Sequence, residues 1–126
     1  LEKLEGRKTI YTNANLQHAQ NVLERLELSH MFHEIFDVKS ANYIPKPEIS
    51  PYEKIITDFD INASSTAMFD DIAKNLVPAK KVGFTSVWIN AGYENFSDDI
   101  ASSKKYLDYE TKHISNFLNQ VNMGQI

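Results

Sequence analysis

Short apolar runs alternate along the chain with longer segments of helical periodicity. The apolar runs are rich in β-branched and aromatic side chains, as strands are, and comprise residues 8–12, 35–38, 66–69 and 84–89. Between them, apolar side chains recur every three or four residues, which is the spacing of an amphipathic helix. Strands that alternate with helices predict βαβ units, so we expect an α/β fold with a parallel sheet and helices on both faces.

The first and last predicted helices follow from spacing alone. Leu16, Ala19 and Leu23 belong to a helical stripe that runs from residue 16 to residue 26, and either Asn13 or Asn15 is placed to cap its N-terminus. Apolar residues between positions 114 and 121 predict a closing helix. We expect the segment at residues 90–99 to be a loop.

The two middle helices carry start and stop signals. Ser50 followed by Pro51 predicts an N-cap with proline at the first helical position, ahead of a helix that reaches Phe59. A third helix is expected after the apolar run at 66–69 and ends near Gly83, with Pro78 inside it. Because proline interrupts helical hydrogen bonding, the middle of that helix is its weakest part.

Polar residues stand where the predicted strands end. Thr12 ends the first strand, Asp70 and Asp71 end the third, Asn90 ends the fourth, and Lys46 lies in the loop after the second. Ligands of open α/β sheets bind at the carboxyl ends of the strands. We therefore expect these side chains to project toward one edge of the sheet.

Two acidic pairs compete for a chemical role, and the first, Asp58 and Asp60, imitates the Asp-x-Asp motif of a phosphatase nucleophile. The apolar residues before it have helical spacing, which a strand-end motif would not have. Only five residues separate Asp60 from Thr66, whereas a crossover between parallel strands needs about a dozen or more. We therefore predict that this pair lies at a helix C-terminus and in the following turn, with both acids solvated.

The second pair, Asp70 and Asp71, follows an apolar strand and opens a helix. Two carboxylates in such a place are costly unless a cation or hydrogen-bond donors satisfy them. Mg²⁺ would do so, because it takes one or two carboxylates together with waters and phosphate oxygens. The alternative is that one of the two aspartates only caps the following helix.

Composition excludes several classes of protein. The chain has 126 residues, of which 42% are hydrophobic, so it can bury a core and is not expected to be disordered. It has no cysteine, which removes disulfides and thiolate sites and fits a reducing cytoplasm. Its net charge of −4 does not favour binding to nucleic acid, whose backbone is negatively charged. No apolar run is long enough to suggest a membrane span or a signal peptide.

Three segments together resemble a known family, the haloacid dehalogenase-like (HAD) superfamily, and within it the pyrimidine 5′-nucleotidase-like phosphatases. They match, in order and spacing, the second motif, the lysine motif and the acidic fourth motif: TIYTNA at 9–14, SANYIPKP at 40–47 and AMFDDIAKNL at 67–76. The resemblance implies a three-layer α/β/α Rossmann-like core with a parallel sheet. It also implies a Mg²⁺-dependent hydrolase of phosphoric monoesters whose partner is a small phosphorylated metabolite or nucleotide.

The resemblance assigns a role to each motif residue. Thr12 and the backbone N–H of Asn13 would bind phosphate at a helix N-terminus, where the macrodipole favours anions. Lys46 would be the catalytic lysine, and it would neutralise the phosphate and its acidic neighbours.

The acidic motif would form the metal site. Asp70 and Asp71 would hold Mg²⁺ directly or through water, and Asn75 would support their loop.

The sequence departs from the family pattern in one respect. Family members attack phosphorus with an aspartate of an Asp-x-Asp motif on the first strand, ahead of a cap domain, and form an aspartyl-phosphate. No aspartate precedes Thr12. We therefore expect residues 1–126 to be the C-terminal part of a HAD-like core that lacks the nucleophile strand and the cap, and to be inactive alone.

The absent strand has two further consequences. The sheet would lack its centre, so we expect a missing N-terminal segment or self-association to complete it. In the family the cap governs the substrate, so nucleotide, phosphosugar and phosphoglycolate all remain open. The alternative function is a non-catalytic phosphate-binding or assembly module derived from the same fold.

Overall fold

The computed structural model describes residues 6–90, 92 and 98–123. The chain divides into two compact units, Leu1–Lys46 and Pro47–Ile126, which we call the N-terminal and C-terminal units. Every strand pairing in both units is parallel, and helices connect the strands. The predicted α/β class with parallel strands is therefore confirmed. Within the described part of the chain, no helix is long and apolar enough to cross a membrane.

The N-terminal unit is one βαβ motif. Its strands lie side by side, with Thr9 opposite Glu34 and Tyr11 opposite Phe36. Phe36 is fully buried and meets the Tyr11 ring edge to face, with 5.3 Å between the ring centroids. A 3₁₀ turn at Ser29–Met31 joins the helix to the second strand; the regular elements are β1 (Thr9–Tyr11), α1 (Leu16–Arg25) and β2 (Glu34–Phe36).

The start of α1 agrees with one of the two predicted caps. Asn15 is the N-cap, and its side-chain oxygen accepts a hydrogen bond from the backbone N–H of His18. Ala19 and Leu23, from the predicted apolar stripe, are the buried residues of the helix. Asn13 lies two residues before the cap and takes a different role, described below.

The C-terminal unit holds a three-stranded parallel sheet, in which each strand pairs with the next one along the chain. Its core includes the fully buried side chains of Tyr52, Leu76 and Val87. Phe69 and Tyr109 both meet the ring of Phe117 edge to face. The elements are α2 (Ile49–Asp58), β3 (Ala67–Asp70), α3 (Leu76–Lys81), β4 (Thr85–Ile89), α4 (Asp98–Ser103), β5 (Tyr109–Thr111) and α5 (Ile114–Asn122).

The predicted start of α2 is wrong. The N-cap is Glu48, which makes no side-chain capping bond, and Ser50 and Pro51 lie inside the first turn. Proline is accepted there because the first backbone N–H groups of a helix have no partner within the helix. The Ser-Pro signal therefore marked the right turn of the helix but not its first residue.

The third helix is divided where the sequence contains proline. A 3₁₀ turn at Ala73–Asn75 precedes α3, which begins only at Leu76, so Pro78 lies in its first turn. The predicted continuous helix is therefore wrong in its first part. Its predicted end is confirmed, because Gly83 follows the C-cap with φ of 106°, a conformation that favours glycine.

Two elements of the C-terminal unit have no counterpart in the sequence predictions, namely α4 and β5. The start of α4 at Asp98 falls within the predicted loop at 90–99, of which residues 91 and 93–97 lie outside the described part of the chain. Strand β5 contains two exposed residues, Tyr109 and Glu110, and so has no apolar run that could reveal it.

Candidate functional site

Thr12 follows directly after β1. Its backbone N–H donates to the carbonyl of Phe36 at 3.0 Å, which continues the β1-β2 pairing by one residue. Its hydroxyl oxygen accepts a hydrogen bond from the backbone N–H of Ala14 at 3.0 Å. A threonine hydroxyl that accepts one bond still has its own proton to donate, so Thr12 is suited to an anionic oxygen.

Lys46 is tied to the loop that follows β1. The backbone N–H of Lys46 donates to the side-chain oxygen of Asn13 at 2.9 Å, across 33 residues of sequence. The Lys46 ammonium lies 5.0 Å from the centroid of the Tyr11 ring, within cation–π distance. Both ends of this lysine are therefore held beside the carboxyl end of β1.

The N-terminus of α1 is already occupied by side chains of the same unit. The N–H of Leu16 donates to a carboxylate oxygen of Asp37 at 2.9 Å, and that of His18 donates to Asn15 at 2.8 Å. Asn13 lies outside the helix, and it is the side chain of this residue that makes the contact with Lys46. The structure therefore gives Asn13 an anchoring role that the sequence did not indicate.

Asp37 is the polar residue of this region that the sequence analysis missed. It follows β2 directly and is only 7% exposed. One carboxylate oxygen accepts from both the backbone N–H and the hydroxyl of Ser40, at 2.9 and 2.7 Å. These two bonds, with the bond from Leu16, outweigh the effect of burial and hold the pKa of Asp37 below its ordinary value. The available signal was an acid inside the apolar run at residues 35–38.

In the C-terminal unit, Asp70 is the last residue of β3 and is 8% exposed. One of its carboxylate oxygens accepts from the N–H of Ile72 at 2.8 Å, and the Asn75 amide approaches both oxygens at 3.4 Å. Asp71 is exposed, and its backbone carbonyl accepts from the Trp88 indole N–H at 3.0 Å. The turn after β3 is therefore held from two sides.

Asn75 is buried beneath this turn, with 4% of its surface exposed. Its backbone carbonyl accepts a 2.5 Å hydrogen bond from the hydroxyl of Tyr52, which is itself fully buried. The amide that faces Asp70 thus belongs to a residue anchored to α2.

The consecutive acids Asp70 and Asp71 suit one kind of metal. The described residues contain no group of three or more histidine, aspartate or glutamate side chains that could hold a metal ion. Mg²⁺ does not need such a cage, because it is commonly held by one or two carboxylates, with waters and phosphate oxygens as its other ligands. The donor set at the end of β3 therefore fits Mg²⁺ better than Zn²⁺, which prefers nitrogen and sulfur ligands.

The other acidic pair is placed as predicted. Asp58 is the last residue of α2 and forms an ion pair with Lys54, one helical turn earlier. Asp60 lies in the following turn with φ of 51°. Neither residue ends a strand, so the nucleophile reading of this pair is excluded.

Asn90 follows β4 as expected. Its amide donates to Glu110 at 3.1 Å, and its side-chain oxygen accepts from the N–H of Gly92. These contacts give it a place in the turn after β4.

The predicted site residues thus form two groups. Thr12, Asn13 and Lys46 are brought together within the N-terminal unit. Asp70 and Asn75 are brought together within the C-terminal unit, and Asp71 follows Asp70 in the chain with its backbone carbonyl bound to Trp88.

Comparison with known proteins identifies the relatives of this fold. The family model of haloacid dehalogenase-like hydrolases matches residues 1–83. Among solved structures, the HAD-hydrolase YfnB from Bacillus subtilis bound to magnesium has a TM-score of 0.76 at 16% identity, with 96% of this chain and 51% of that chain covered. No curated protein matches the chain by sequence.

Two further structures have the same fold. A dehalogenase solved with an intermediate complex has a TM-score of 0.74 at 20% identity, with 88% of this chain and 47% of that chain covered. A HAD phosphatase from Thermococcus onnurineus has a TM-score of 0.64 at 22% identity, with 83% of this chain and 46% of that chain covered. The chain therefore spans about half the length of the solved structures that it matches.

The family model covers about two thirds of the chain, and the solved structures share its Rossmann-like arrangement of parallel strands and helices. The chain belongs to the haloacid dehalogenase-like hydrolase family.

Proposed function

We propose that this chain forms the phosphate-binding and magnesium-binding part of a phosphomonoester hydrolase. The observation that carries the proposal is the hydrogen bond from the Lys46 backbone to the Asn13 side chain. Because of this bond, an ammonium group is held against the loop in which Thr12 follows β1. An ammonium and a hydroxyl at the carboxyl end of a parallel strand are the groups expected to bind a phosphoryl group.

Charge decides the contribution of Lys46. At ~4 Å and an effective dielectric near 20, its attraction to one phosphate charge is on the order of 4 kcal/mol before desolvation is subtracted. Thr12 would add a hydrogen bond to a phosphate oxygen, together with the N–H of Asn13. As negative charge shifts between the phosphorus oxygens during transfer, a fixed ammonium stabilises it at no cost of reorganisation.

Asp70 and Asp71 would hold Mg²⁺, and Asn75 would keep the Asp70 carboxylate oriented. When bound, the ion would act as a Lewis acid and supply positive charge. The fit of two adjacent carboxylates to this ion, and the magnesium-bound relative from Bacillus subtilis, support this part of the proposal.

The attacking group is proposed to come from outside these 126 residues. Attack on phosphorus needs a nucleophile, and the roles proposed for Lys46 and Thr12 are to position the phosphate rather than to attack it. We propose that an aspartate on a further strand attacks phosphorus, so that the bond to the leaving oxygen breaks and water later releases phosphate. The 126-residue chain alone would then bind phosphate without turning it over.

The substrate is proposed to be a small phosphorylated metabolite, with nucleoside 5′-monophosphates as the first class to test. The support is the similarity of residues 9–14, 40–47 and 67–76 to the pyrimidine 5′-nucleotidase-like motifs. The absence of cysteine fits a reaction in the cytoplasm.

A phosphatase assay with Mg²⁺ tests the proposal. Nucleoside monophosphates, sugar phosphates and phosphoglycolate would be offered to the 126-residue chain and to a longer parent protein that contains it. We expect turnover only by the parent, and a loss of about a hundredfold or more in kcat/KM when Lys46 is changed to alanine, since a charged contact to the reacting group is removed.

Lys39→Ala is the matched control, because Lys39 is an exposed lysine of the same connection between β2 and α2. It should leave kcat/KM unchanged. An equal loss in both variants would contradict a specific role for Lys46. Phosphate binding without turnover in either protein would favour the non-catalytic phosphate-binding module.

A further inference from the structure

Two loops of the N-terminal unit carry the residues proposed to bind phosphate. The first follows β1 and contains Thr12 and Asn13, and the second follows β2 and leads to Lys46. They are bridged at one end by the bond between Asn13 and Lys46. Their other ends meet at Asp37.

The carboxylate of Asp37 accepts bonds from both loops with different oxygens. One oxygen accepts from the N–H of Leu16, the first residue of α1, at 2.9 Å. The other accepts from the N–H and the hydroxyl of Ser40, at 2.9 and 2.7 Å. Backbone bonds reinforce this junction, because the N–H of Val38 donates to the carbonyl of Ala14 at 3.0 Å.

We propose that Asp37 is a positioning residue that holds the Thr12 loop and the Lys46 loop in fixed register for phosphate. This inference rests on the proposed function, since it concerns the loops assigned to phosphate there. Asp37 acts through its neighbours, because the residue is only 7% exposed and both of its carboxylate oxygens accept from backbone donors.

Only a carboxylate can make this junction. Both of its oxygens accept hydrogen bonds, whereas an asparagine side chain has one oxygen and one NH₂ group. In Asp37→Asn the NH₂ group would face either the Leu16 N–H or the Ser40 N–H, which are both donors. The isosteric variant therefore keeps the shape of the side chain but releases one of the two loops.

The test combines two measurements on the 126-residue chain. Amide hydrogen exchange reports whether the Lys46 N–H is still bonded to Asn13, and titration with inorganic phosphate in the presence of Mg²⁺ reports affinity. In Asp37→Asn we expect exchange at the Lys46 amide to rise about tenfold or more, and the Kd for phosphate to rise by a similar factor, because a bond to a charged group is lost.

Asp108→Asn is the matched control. Asp108 also accepts from a backbone N–H and a serine hydroxyl, those of Ser86, but it lies in the C-terminal unit. We expect this variant to lower the midpoint of thermal unfolding without changing exchange at Lys46 or the Kd for phosphate. If Asp37 only stabilised the fold, the two variants would show the same exchange at the Lys46 amide and the same Kd for phosphate. That result would overturn the proposal.

Ser40→Ala provides a milder change that keeps the chain folded. It removes the hydroxyl bond to Asp37 and leaves the backbone bond in place. Exchange at the Lys46 amide should rise by a smaller factor than in Asp37→Asn, and unchanged exchange in both variants would overturn the positioning role. If the Lys46 amide responds as expected but neither the unmodified chain nor the longer parent protein binds phosphate, the positioning role stands and the proposed function fails.

Discussion

At the scale of single residues, hydrogen-bonded carboxylates hold distant segments of each unit together. Asp37 joins residues 16 and 40, and Asp108 joins Ser86 to Lys80, whose ammonium lies 2.7 Å from the Asp108 carboxylate. Glu34 accepts hydrogen bonds from Arg7 and from the hydroxyl of Thr9. Each of these acids accepts hydrogen bonds that stabilise its ionised form in the folded state.

Their pKa values predict the response of the protein to acid. Hydrogen bonds from Ser40 hold the pKa of Asp37 low, and the Arg7 bond does the same for Glu34. Burial raises the pKa of Asp108, but the hydrogen bonds from Lys80 and Ser86 outweigh it and the net pKa is lowered. A lowered pKa contributes stability that is complete above the ordinary carboxylate range and is lost as the pH falls through the folded value.

We therefore expect the free energy of unfolding to decrease steadily below about pH 4. Urea denaturation between pH 7 and pH 3 measures this. Asp37→Asn should have a lower free energy of unfolding than the unmodified chain at pH 7. Its free energy of unfolding should also fall by less between pH 7 and pH 3. Parallel curves for the two proteins would show that Asp37 does not contribute to the acid response.

At the scale of elements, helix ends determine where the candidate residues stand. Asn15 caps α1 and so fixes the length of the loop between Thr12 and the helix. In the C-terminal unit, α3 begins at Leu76 with Pro78 in its first turn, and the 3₁₀ turn at Ala73–Asn75 before it carries the Asn75 amide, which lies 3.4 Å from the Asp70 carboxylate. The cap and the proline are local signals that can be read without the fold.

The cap of α1 carries the prediction at this scale. Asn15→Ala should lower the free energy of unfolding by about 1 kcal/mol, within the range of 0.5–2 kcal/mol typical for a lost N-cap, since the His18 N–H loses its acceptor. Urea denaturation at pH 7 measures the change. Gln20→Ala is the control, because Gln20 is exposed in the middle of the same helix. An equal loss in the control would point to a general sensitivity of α1 rather than to capping.

At the scale of the whole molecule, the sheets have open edges. The strands pair in the orders β1-β2 and β3-β4-β5, so β1, β2, β3 and β5 each have a strand partner on one side only, as far as the described residues show. Edge strands present backbone N–H and C=O groups to which another strand can add. This arrangement agrees with the proposal that a further strand completes the protein.

We expect the 126-residue chain to self-associate as its concentration rises, because strand edges pair with one another when no other partner covers them. Sedimentation velocity over a roughly hundredfold range of concentration measures this self-association. Ala67→Lys places a charge on an exposed position of β3 and should reduce association.

Ala101→Lys, on an exposed position of α4, is the control and should leave association unchanged. A chain that stays monomeric at every concentration would contradict self-association through the strand edges.

The sequence by itself was sufficient to predict the fold class and most element positions, and it named the candidate residues, whose roles stay predictions. Periodicity depends only on which side chains must leave water, so β1, α1, β4 and α5 could be located from it. The rejection of Asp58 and Asp60 followed equally from local spacing. The exposed strand β5 was not predicted, because it forms through pairing with β4 and not through burial of its own side chains.

Only the tertiary structure decided which residues support one another. The Asn13–Lys46 bond spans 33 residues, and Asp37 meets Leu16 across 21 residues. No local pattern encodes such contacts, because they form only when the β1-β2 pairing brings two loops to the same strand ends. The sequence thus named the groups proposed to hold phosphate and Mg²⁺, and the parallel pairing of strands determined which backbone and carboxylate atoms contact the loops that carry Thr12 and Lys46.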